Sequence, residues 1–253
     1  MARLSSLPQL EELSIGFSEP IPRPSSEREL LGEQGTPATL HRLKTLRFQG
    51  VGAYLDSFIA QIRVPLLEEL DIALFNQIAF TLPHLSYLIN ITKAFKLRNA
   101  NIFFGRDEVT IAMDHYSSRW FNGRLLLRVM CKQLDWQIDC VAQICVGLIP
   151  VLSGVEQLSL EFYVGLMPAE WENGEIDGTT WHDLLRSFVA VKQLDVSRGL
   201  LEELSYALQV DEVGLDPGFL PDLQYIVAAE NRFTSFFDAR QLMGRPVKIW
   251  LSS

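Results

Sequence analysis

The chain has 253 residues, of which 48% are hydrophobic, and its formal net charge is −9. This length and composition suffice for one large hydrophobic core, and we expect residues 1–253 to form a single domain. No apolar run is long enough to cross a membrane and the acidic charge disfavours phosphate backbones, so we expect no membrane and no nucleic-acid partner.

A short phrase recurs along the chain: Leu or Val, two residues, Leu, one residue, then an apolar residue. Its copies are Leu10–Ile15, Leu43–Phe48, Leu67–Ile72, Val155–Leu160 and Val191–Val196. The central residue moves by 33 residues from Leu13 to Leu46 and by 24 to Leu70. It moves by 36 residues from Leu158 to Leu194 and by 32 to Ile226. Alternating apolar and polar residues predict a half-buried strand, and such steps are typical of leucine-rich repeats lengthened by insertions. We therefore predict an irregular leucine-rich-repeat solenoid of the α/β class, with a parallel sheet on one face and helices on the other.

Helical patterns lie between the first copies of the phrase. Residues 16–39 are rich in Pro, Ser, Gly and Glu without periodicity, so we expect a mobile surface insertion there. In Tyr54–Ile62, apolar residues recur at helical spacing, and Pro65 is expected to end that helix. Leu82–Ile89 repeats the helical pattern, and Phe95–Leu97 is predicted to be the strand that follows.

Residues 102–135 interrupt this rhythm. Val109–Met113 and Leu125–Val129 are predicted to be two strands of a hairpin-like irregular unit, with its turn at Asn122-Gly123. We expect this hairpin to stand in for the helix of one repeat.

Three further helices and a strand are predicted toward the C-terminus. The first helix spans Trp136–Leu152, the second is capped by Thr180, and the third spans Thr234–Met243 with Gly244 at its C-terminal end. Val247–Ile249 is predicted to be the last strand.

The polar residues within the strands are the candidates for a binding surface. Because side chains alternate between the two faces of a strand, the residues beside the inward leucines point away from the core. The resulting concave row changes charge from repeat to repeat, which suits recognition of a specific protein partner, although any exposed strand face must be polar. Its members are Glu12, Ser14, Thr45, Arg47, Glu69, Asp71, Lys96, Arg98, Gln157, Ser159, Gln193 and Asp195.

The densest group of ionisable residues lies in the segment 170–183. Its members are Glu170, Glu172, Glu175, Asp177 and His182. Paired carboxylates can perform acid–base catalysis or bind a hard cation, so a small hydrolase or a metal-dependent enzyme is the alternative function. The Asn-Gly and Asp-Gly pairs of this segment favour turns in a solvated loop instead.

Cysteine and histidine do not indicate a metal centre. Cys131, Cys140 and Cys145 include no Cys-x-x-Cys pair, and the four histidines lack ligand spacing. We therefore expect free thiols, no metal, no cofactor and no catalytic residue. Free thiols and the lack of an N-terminal apolar signal segment predict an intracellular location, cytoplasmic or nuclear.

Longer stretches along the chain carry a further signal. They are Ala53–Phe58, Pro65–Ile72, Phe75–Ile78, Gln133–Trp136, Leu201–Leu208 and Phe237–Pro246. In this order they resemble the leucine-rich-repeat region of fungal, mushroom-type F-box-like proteins, and the resemblance covers most of the chain. It implies that the repeats present substrate proteins, while an N-terminal F-box helical module docks onto the Skp-type adaptor of a cullin ubiquitin ligase.

The chain departs from that pattern at its start, because it opens directly in a repeat at Leu7–Leu10. We therefore expect no binding to a Skp-type adaptor unless an F-box is supplied upstream. A truncated product without independent function is a third interpretation.

Overall fold

The computed structural model describes residues 7–18, 37–95, 97–114, 124–162, 178–208 and 219–251. The protein is α/β: within these residues there are a mostly parallel sheet of ten strands, a small sheet of two strands and seven α-helices. None of the described helices is both long enough and apolar enough to cross a bilayer.

Twelve strands lie within the described residues, and five of them coincide with the copies of the repeated phrase. They are β1 (Glu12–Gly16), β2 (Ala38–Thr39), β3 (Thr45–Gly50), β4 (Ile62–Arg63), β5 (Glu69–Leu74), β6 (Asn99–Phe104), β7 (Glu108–Asp114), β8 (Leu125–Met130), β9 (Gln157–Phe162), β10 (Gln193–Val196), β11 (Tyr225–Ala228) and β12 (Lys248–Leu251). The five that coincide with the phrase are β1, β3, β5, β9 and β10. The large sheet has the order β1-β3-β5-β8-β7-β6-β9-β10-β11-β12, and β2 pairs with β4 in the small sheet.

The helices bury one apolar face each. They are α1 (Gly52–Ile59), α2 (Pro83–Ile91), α3 (Leu134–Gly147), α4 (Ile149–Leu152), α5 (Gly178–Arg186), α6 (Leu201–Ala207) and α7 (Thr234–Leu242). Leu55, Leu85, Val141 and Leu184 are fully buried and belong to one hydrophobic core with the inward residues of the strands. The helices therefore cover one side of the large sheet, and their apolar faces pack against its inward residues.

The central residues of the repeated phrase match in register across the sheet. The matched residues are Leu13, Leu46 and Leu70 on β1, β3 and β5, and Leu158, Leu194 and Ile226 on β9, β10 and β11. All except Leu13 are at most 1% exposed, whereas Leu13 lies on the edge strand and is half-buried. The phrase thus predicted both the strands and the residues that face the core.

Strands β6, β7 and β8 form an antiparallel meander in the centre of the sheet. β8 pairs in parallel with β5, and β6 pairs in parallel with β9. The predicted strands Val109–Met113 and Leu125–Val129 are confirmed, while the turn Asn122-Gly123 lies outside the described residues. The expectation that the hairpin stands in for a helix was wrong. Its inward residues, such as Ile111 and Leu127, are fully apolar and buried, so its strands join the main sheet.

The strand predicted at Phe95–Leu97 was also wrong. Lys93–Phe95 forms a 3₁₀ turn and β6 begins at Asn99. Ala100 of β6 pairs with the marker Leu158, so 97–102 is a further copy of the phrase with alanine in its centre. The phrase was defined by a central leucine, so it did not predict this copy.

The predicted insertion 16–39 and the first helix have shifted boundaries. α1 ends at Ile59, and Ile62 pairs with Ala38 in the small sheet. The end of the insertion is therefore strand β2, and residues 19–36 lie outside the described part of the chain.

The later helices have the predicted type with corrected bounds. The helix predicted over Trp136–Leu152 is divided into α3 and α4 at Leu148, whose φ and ψ are −106° and 8°. Pro150 then lies in the first turn of α4, where its missing N–H costs no hydrogen bond. α5 begins at Gly178, two residues before Thr180. α7 ends before Gly244, whose φ of +71° is the left-handed conformation that favours glycine.

A buried arginine joins α7 to the turn that precedes β11. Arg240 is fully buried, and its guanidinium donates to the carbonyl oxygens of Phe219, Pro221 and Leu223 at 3.2–3.4 Å. Burial lowers the pKa of Arg240 from its ordinary value. Within this turn Leu220 has a φ of +42°, a strained conformation for a residue with a side chain. The hydrogen bonds from Arg240 on both sides of Leu220 stabilise that turn.

Candidate functional site

The side of the large sheet opposite the helices is the candidate site, and we call it the outward face. One row of it runs in register through Ser14, Arg47, Asp71, Leu126, Ala112, Asn101, Ser159, Asp195, Val227 and Trp250. Side chains of neighbouring strands on one face lie about 5 Å apart, so this row is a continuous surface.

The structure places most of the predicted site residues on the outward face. Those exposed to solvent are Glu12, Ser14, Arg47, Glu69 and Gln157, and those half-buried are Asp71, Ser159, Gln193 and Asp195. Thr45 was expected to be exposed but is only 8% exposed, because it lies between Glu12 and Glu69 in register. Its hydroxyl donates to Glu69 Oε2 at 3.3 Å.

One predicted member needs correction, and another is untested. Lys96 lies outside the described residues, and Arg98 precedes β6 instead of belonging to the row. The carbonyl oxygen of Arg98 accepts hydrogen bonds from the backbone N–H groups of Glu156 and Gln157. The outward residues of β6 are Asn99, Asn101 and Phe103, which sequence reasoning missed.

The N-terminal half of the outward face, on β1, β3, β5 and β8, has alternating charges that pair between strands. Arg47 Nη1 lies 3.3 Å from Glu12 Oε2 on the neighbouring strand. Arg128 Nη2 on β8 lies 2.6 Å from Asp71 Oδ1 on β5, and both side chains are partly buried. Charge complementarity between strands is therefore largely satisfied inside the protein.

The C-terminal half of the outward face, on β9–β12, is arranged differently. Its carboxylates accept hydrogen bonds within their own strand, from Ser159 to Glu161 at 3.2 Å and from Gln193 to Asp195 at 2.9 Å. Neither carboxylate has a cationic partner among the residues that the structure describes. Burial raises the pKa of Asp195 above its ordinary value, and the Gln193 hydrogen bond opposes that change in part.

An aromatic pair completes the C-terminal half. The rings of Tyr225 and Trp250 have centroids 4.8 Å apart, and Trp250 is 54% exposed. Lys248 Nζ lies 6.0 Å from the centre of the Tyr225 ring, within the range of a cation–π contact. This end of the face therefore combines the carboxylates of Glu161 and Asp195 with exposed aromatic surface.

The edge of the outward face, where the parallel strands begin, has its own ion pairs. Glu156 lies 3.2 Å from Lys192 and 3.8 Å from Arg98, and Lys44 lies 3.1 Å from Glu11. Arg98 thus contributes charge beside the predicted row.

Only the end of the segment 170–183 lies within the described residues. Residues 170–177 lie outside the described part of the chain. His182 is described, and its Nε2 lies 2.7 Å from the carbonyl oxygen of Ala207 while its ring packs against Phe219. In that position His182 has a structural partner in the helical layer.

The cysteines are free thiols, as predicted, and all three are buried. Burial raises the pKa of Cys145, and a hydrogen bond with Cys131 together with burial raises that of Cys140. Both are therefore protonated near neutral pH and poor nucleophiles. Among the described residues, no cluster of His, Cys, Asp or Glu has the arrangement of a metal site.

A cavity of about 340 Å³ lies on the helical side, between α2, α4 and the turn before β6. Ile89, Phe95, Leu97 and Val151 line it, and Arg98 is its charged member. Arg98 is paired with Glu156 at 3.8 Å, outside the residues that line the cavity.

Comparison of the chain with protein-family models, with curated proteins and with solved structures finds no match. Functional inference therefore depends on the geometry of the outward face.

Proposed function

We propose that this protein is a non-catalytic protein-binding domain of the leucine-rich-repeat type, which recognises its partner through the outward face. The single observation that carries the proposal is that outward face, which runs in register across ten strands and changes chemistry along its length. A partner that spans several strands contacts a different set of charges on each, which is a basis for specificity.

A repeated backbone contact supports the repeat arrangement. The carbonyl oxygen of Lys44 accepts hydrogen bonds from the N–H groups of Glu68 and Glu69 at the start of the next strand. The carbonyl oxygens of Glu11, Arg98, Glu156 and Lys192 each make the same pair of contacts. Units that each contact the next in the same way are the defining property of a solenoid.

The resemblance to F-box-like proteins supplies the more specific part of the proposal. We propose that the bound partner is a protein presented for ubiquitination, with a Skp-type adaptor recruited only where an F-box lies upstream. The ligase role rests on that resemblance alone.

Affinity capture with a charge-swapped pair tests the proposal. In the variant Glu12→Lys with Arg47→Glu, the ion pair is kept in reversed order, so stability changes little while the local charge pattern is inverted. We expect this variant to capture less of the partner from a fungal extract than the wild-type protein, as measured by quantitative mass spectrometry.

A matched control is available on the helical side. Asp183 and Arg186 of α5 form an exposed ion pair at 3.7 Å, and the variant Asp183→Arg with Arg186→Asp exchanges them. We expect capture to be unchanged by this exchange. If both swapped variants retain the same proteins as the wild type, the β1–β3 part of the outward face does not contact the partner, and the proposal fails if Asp195→Lys on β10 also leaves capture unchanged. Co-purification of Skp and cullin components in the same experiment tests the ligase part.

Replacement of Glu172, Glu175 and Asp177 by Ala separates binding from catalysis. We expect capture to persist in this variant. A hydrolytic or metal-dependent activity that this variant loses, with capture by the outward face unchanged, would favour the enzyme instead.

A further inference from the structure

We propose that the C-terminal half of the outward face binds an arginine side chain of the partner protein, held between the Asp195 carboxylate and the Trp250 indole. This inference rests on the proposed function and names the chemistry of the partner at one part of that surface.

The three residues that form the site lie side by side. Asp195 on β10 is in register with Val227 on β11, and Val227 is in register with Trp250 on β12. Asp195 and Trp250 are thus two strand spacings apart, about 10 Å between their Cα atoms, with Val227 between them. Val227 is apolar, half-buried and shorter than the Trp250 indole, and we call the surface over Val227 between Asp195 and Trp250 the depression. Its floor suits the methylene groups of a long side chain.

The electrostatics of the depression favour a cation. Among the described residues, Asp195 accepts a hydrogen bond from the Gln193 amide alone, and burial raises the pKa of its carboxyl. The carboxylate form is therefore incompletely solvated, and an incoming guanidinium supplies the missing N–H donors and the opposite charge. Glu161, two positions along β9 from Ser159, adds a second negative charge without a cationic partner among the described residues.

The aromatic side of the depression favours arginine. A planar guanidinium stacks on an indole ring and still donates in its own plane to a carboxylate, which a lysine ammonium cannot do. Lys248 is the register partner of Tyr225, and its Nζ lies 6.0 Å from the centre of that ring. The same Lys248 repels an incoming arginine, so its removal is expected to strengthen binding.

Selection from a random peptide library on the immobilised wild-type protein tests the inference. We expect arginine to be enriched among the selected peptides. For a selected peptide, exchange of its arginine for citrulline, which keeps the shape and removes the charge, should weaken binding about tenfold in fluorescence anisotropy, as expected for a lost ion pair and cation–π contact.

Variants of the protein assign that loss to the depression. In Asp195→Asn and in Trp250→Leu the arginine and citrulline peptides should bind with nearly equal affinity, whereas Lys248→Gln should bind the arginine peptide more tightly than the wild type does. Asp183→Asn on α5 is the matched loss of an exposed carboxylate and should leave the tenfold ratio unchanged. Circular dichroism and thermal unfolding check that each variant is folded.

The failure of this inference is distinguishable from failure of the proposed function. Selected peptides without arginine enrichment, or a tenfold ratio that persists in Asp195→Asn, overturn the inference. If such peptides still lose affinity in the Glu12→Lys and Arg47→Glu variant, binding by the outward face stands. If no peptide is selected above background, the inference is also overturned, and capture of a whole partner then decides the proposed function alone.

Discussion

The two halves of the outward face share one register and differ in how their charges are satisfied. On β1, β3, β5 and β8, acidic and basic residues alternate between strands, as in the Asp71–Arg128 pair at 2.6 Å. On β9–β12, the carboxylates of Glu161 and Asp195 accept hydrogen bonds from residues of the same strand. In the first half, Glu12 and Asp71 pair with arginines of neighbouring strands and Glu69 accepts a hydrogen bond from Thr45. In the second half, neither Glu161 nor Asp195 pairs with a cation among the described residues.

The meander of β6, β7 and β8 lies between β5 and β9, and its strand β8 belongs to the first half. The meander places mainly small or apolar outward residues between β5 and β9, including Ala112 and Thr110, which are buried, and Leu126, which is half-buried. Charges on β5 lie about 20 Å from those on β9, and Arg128 on β8 lies about 15 Å from β9, so both distances exceed the Debye length at physiological salt. Each half can be altered without a large electrostatic effect on the other.

The largest expected effect on stability comes from a substitution in the core that the two halves share. Leu158 is 1% exposed in the middle of the sheet, so Leu158→Ala should lower the free energy of unfolding by about 2–5 kcal/mol. Leu13→Ala at the half-buried edge strand should cost less, because less apolar area is lost. Urea denaturation of both variants measures the difference, and an unchanged midpoint for Leu158→Ala would contradict the repeat register.

A smaller effect is expected at the arginine that anchors the C-terminal half. Arg240→Met removes three hydrogen bonds to carbonyl oxygens at the turn with the strained Leu220, and we expect a loss of about 1.5–3 kcal/mol. Arg232→Met removes only an exposed pair with Glu230 and serves as the control, with a change within about 0.5 kcal/mol. Hydrogen exchange should localise the destabilisation of Arg240→Met to residues 219–251. Equal stability of the two variants would show that the buried contacts of Arg240 are not stabilising.

The sequence predicted the repeat strands because their signal is local. Leu13, Leu46, Leu158 and Leu194 each lie in an alternating pattern that a few residues define, and alternation assigns the outward side chains as well. The same logic failed for Arg98, since a strand displaced along the chain assigns different residues to the outward face.

Contacts between distant residues were beyond this kind of prediction. The order of β8, β7 and β6 in the sheet depends on which strands pair, and no local pattern states that. Asp56 accepts hydrogen bonds from the backbone N–H groups of His84 and Leu85, so it satisfies donors in the first turn of α2 from another helix. A capping residue 28 positions away leaves no sequence signature near the helix it caps.

A modest, salt-dependent loss of stability is expected for a substitution in the first half. Asp71→Asn leaves Arg128, with a side chain 37% exposed, without its ionic partner, and we expect a loss of about 1 kcal/mol at low salt. The difference from the wild type should shrink in high salt, because mobile ions screen partly exposed charges. Unfolding in urea at low and high sodium chloride measures this, and a loss that does not depend on salt would point to packing instead of charge.

The smallest effect is expected at Asp195, with the opposite sign. Its pKa in the folded protein is raised above the ordinary 3.8, so the folded state favours the protonated carboxyl, and this contribution to stability is lost as pH rises through the folded pKa. Asp195→Asn keeps an acceptor for Gln193 and carries no charge, so it should be slightly more stable than the wild type at neutral pH. The difference should vanish below the unfolded pKa, where the wild-type carboxyl is also neutral. Thermal unfolding across this pH range measures both limits. A variant less stable than the wild type at neutral pH would mean that Asp195 is compensated within the protein, as Asp71 is.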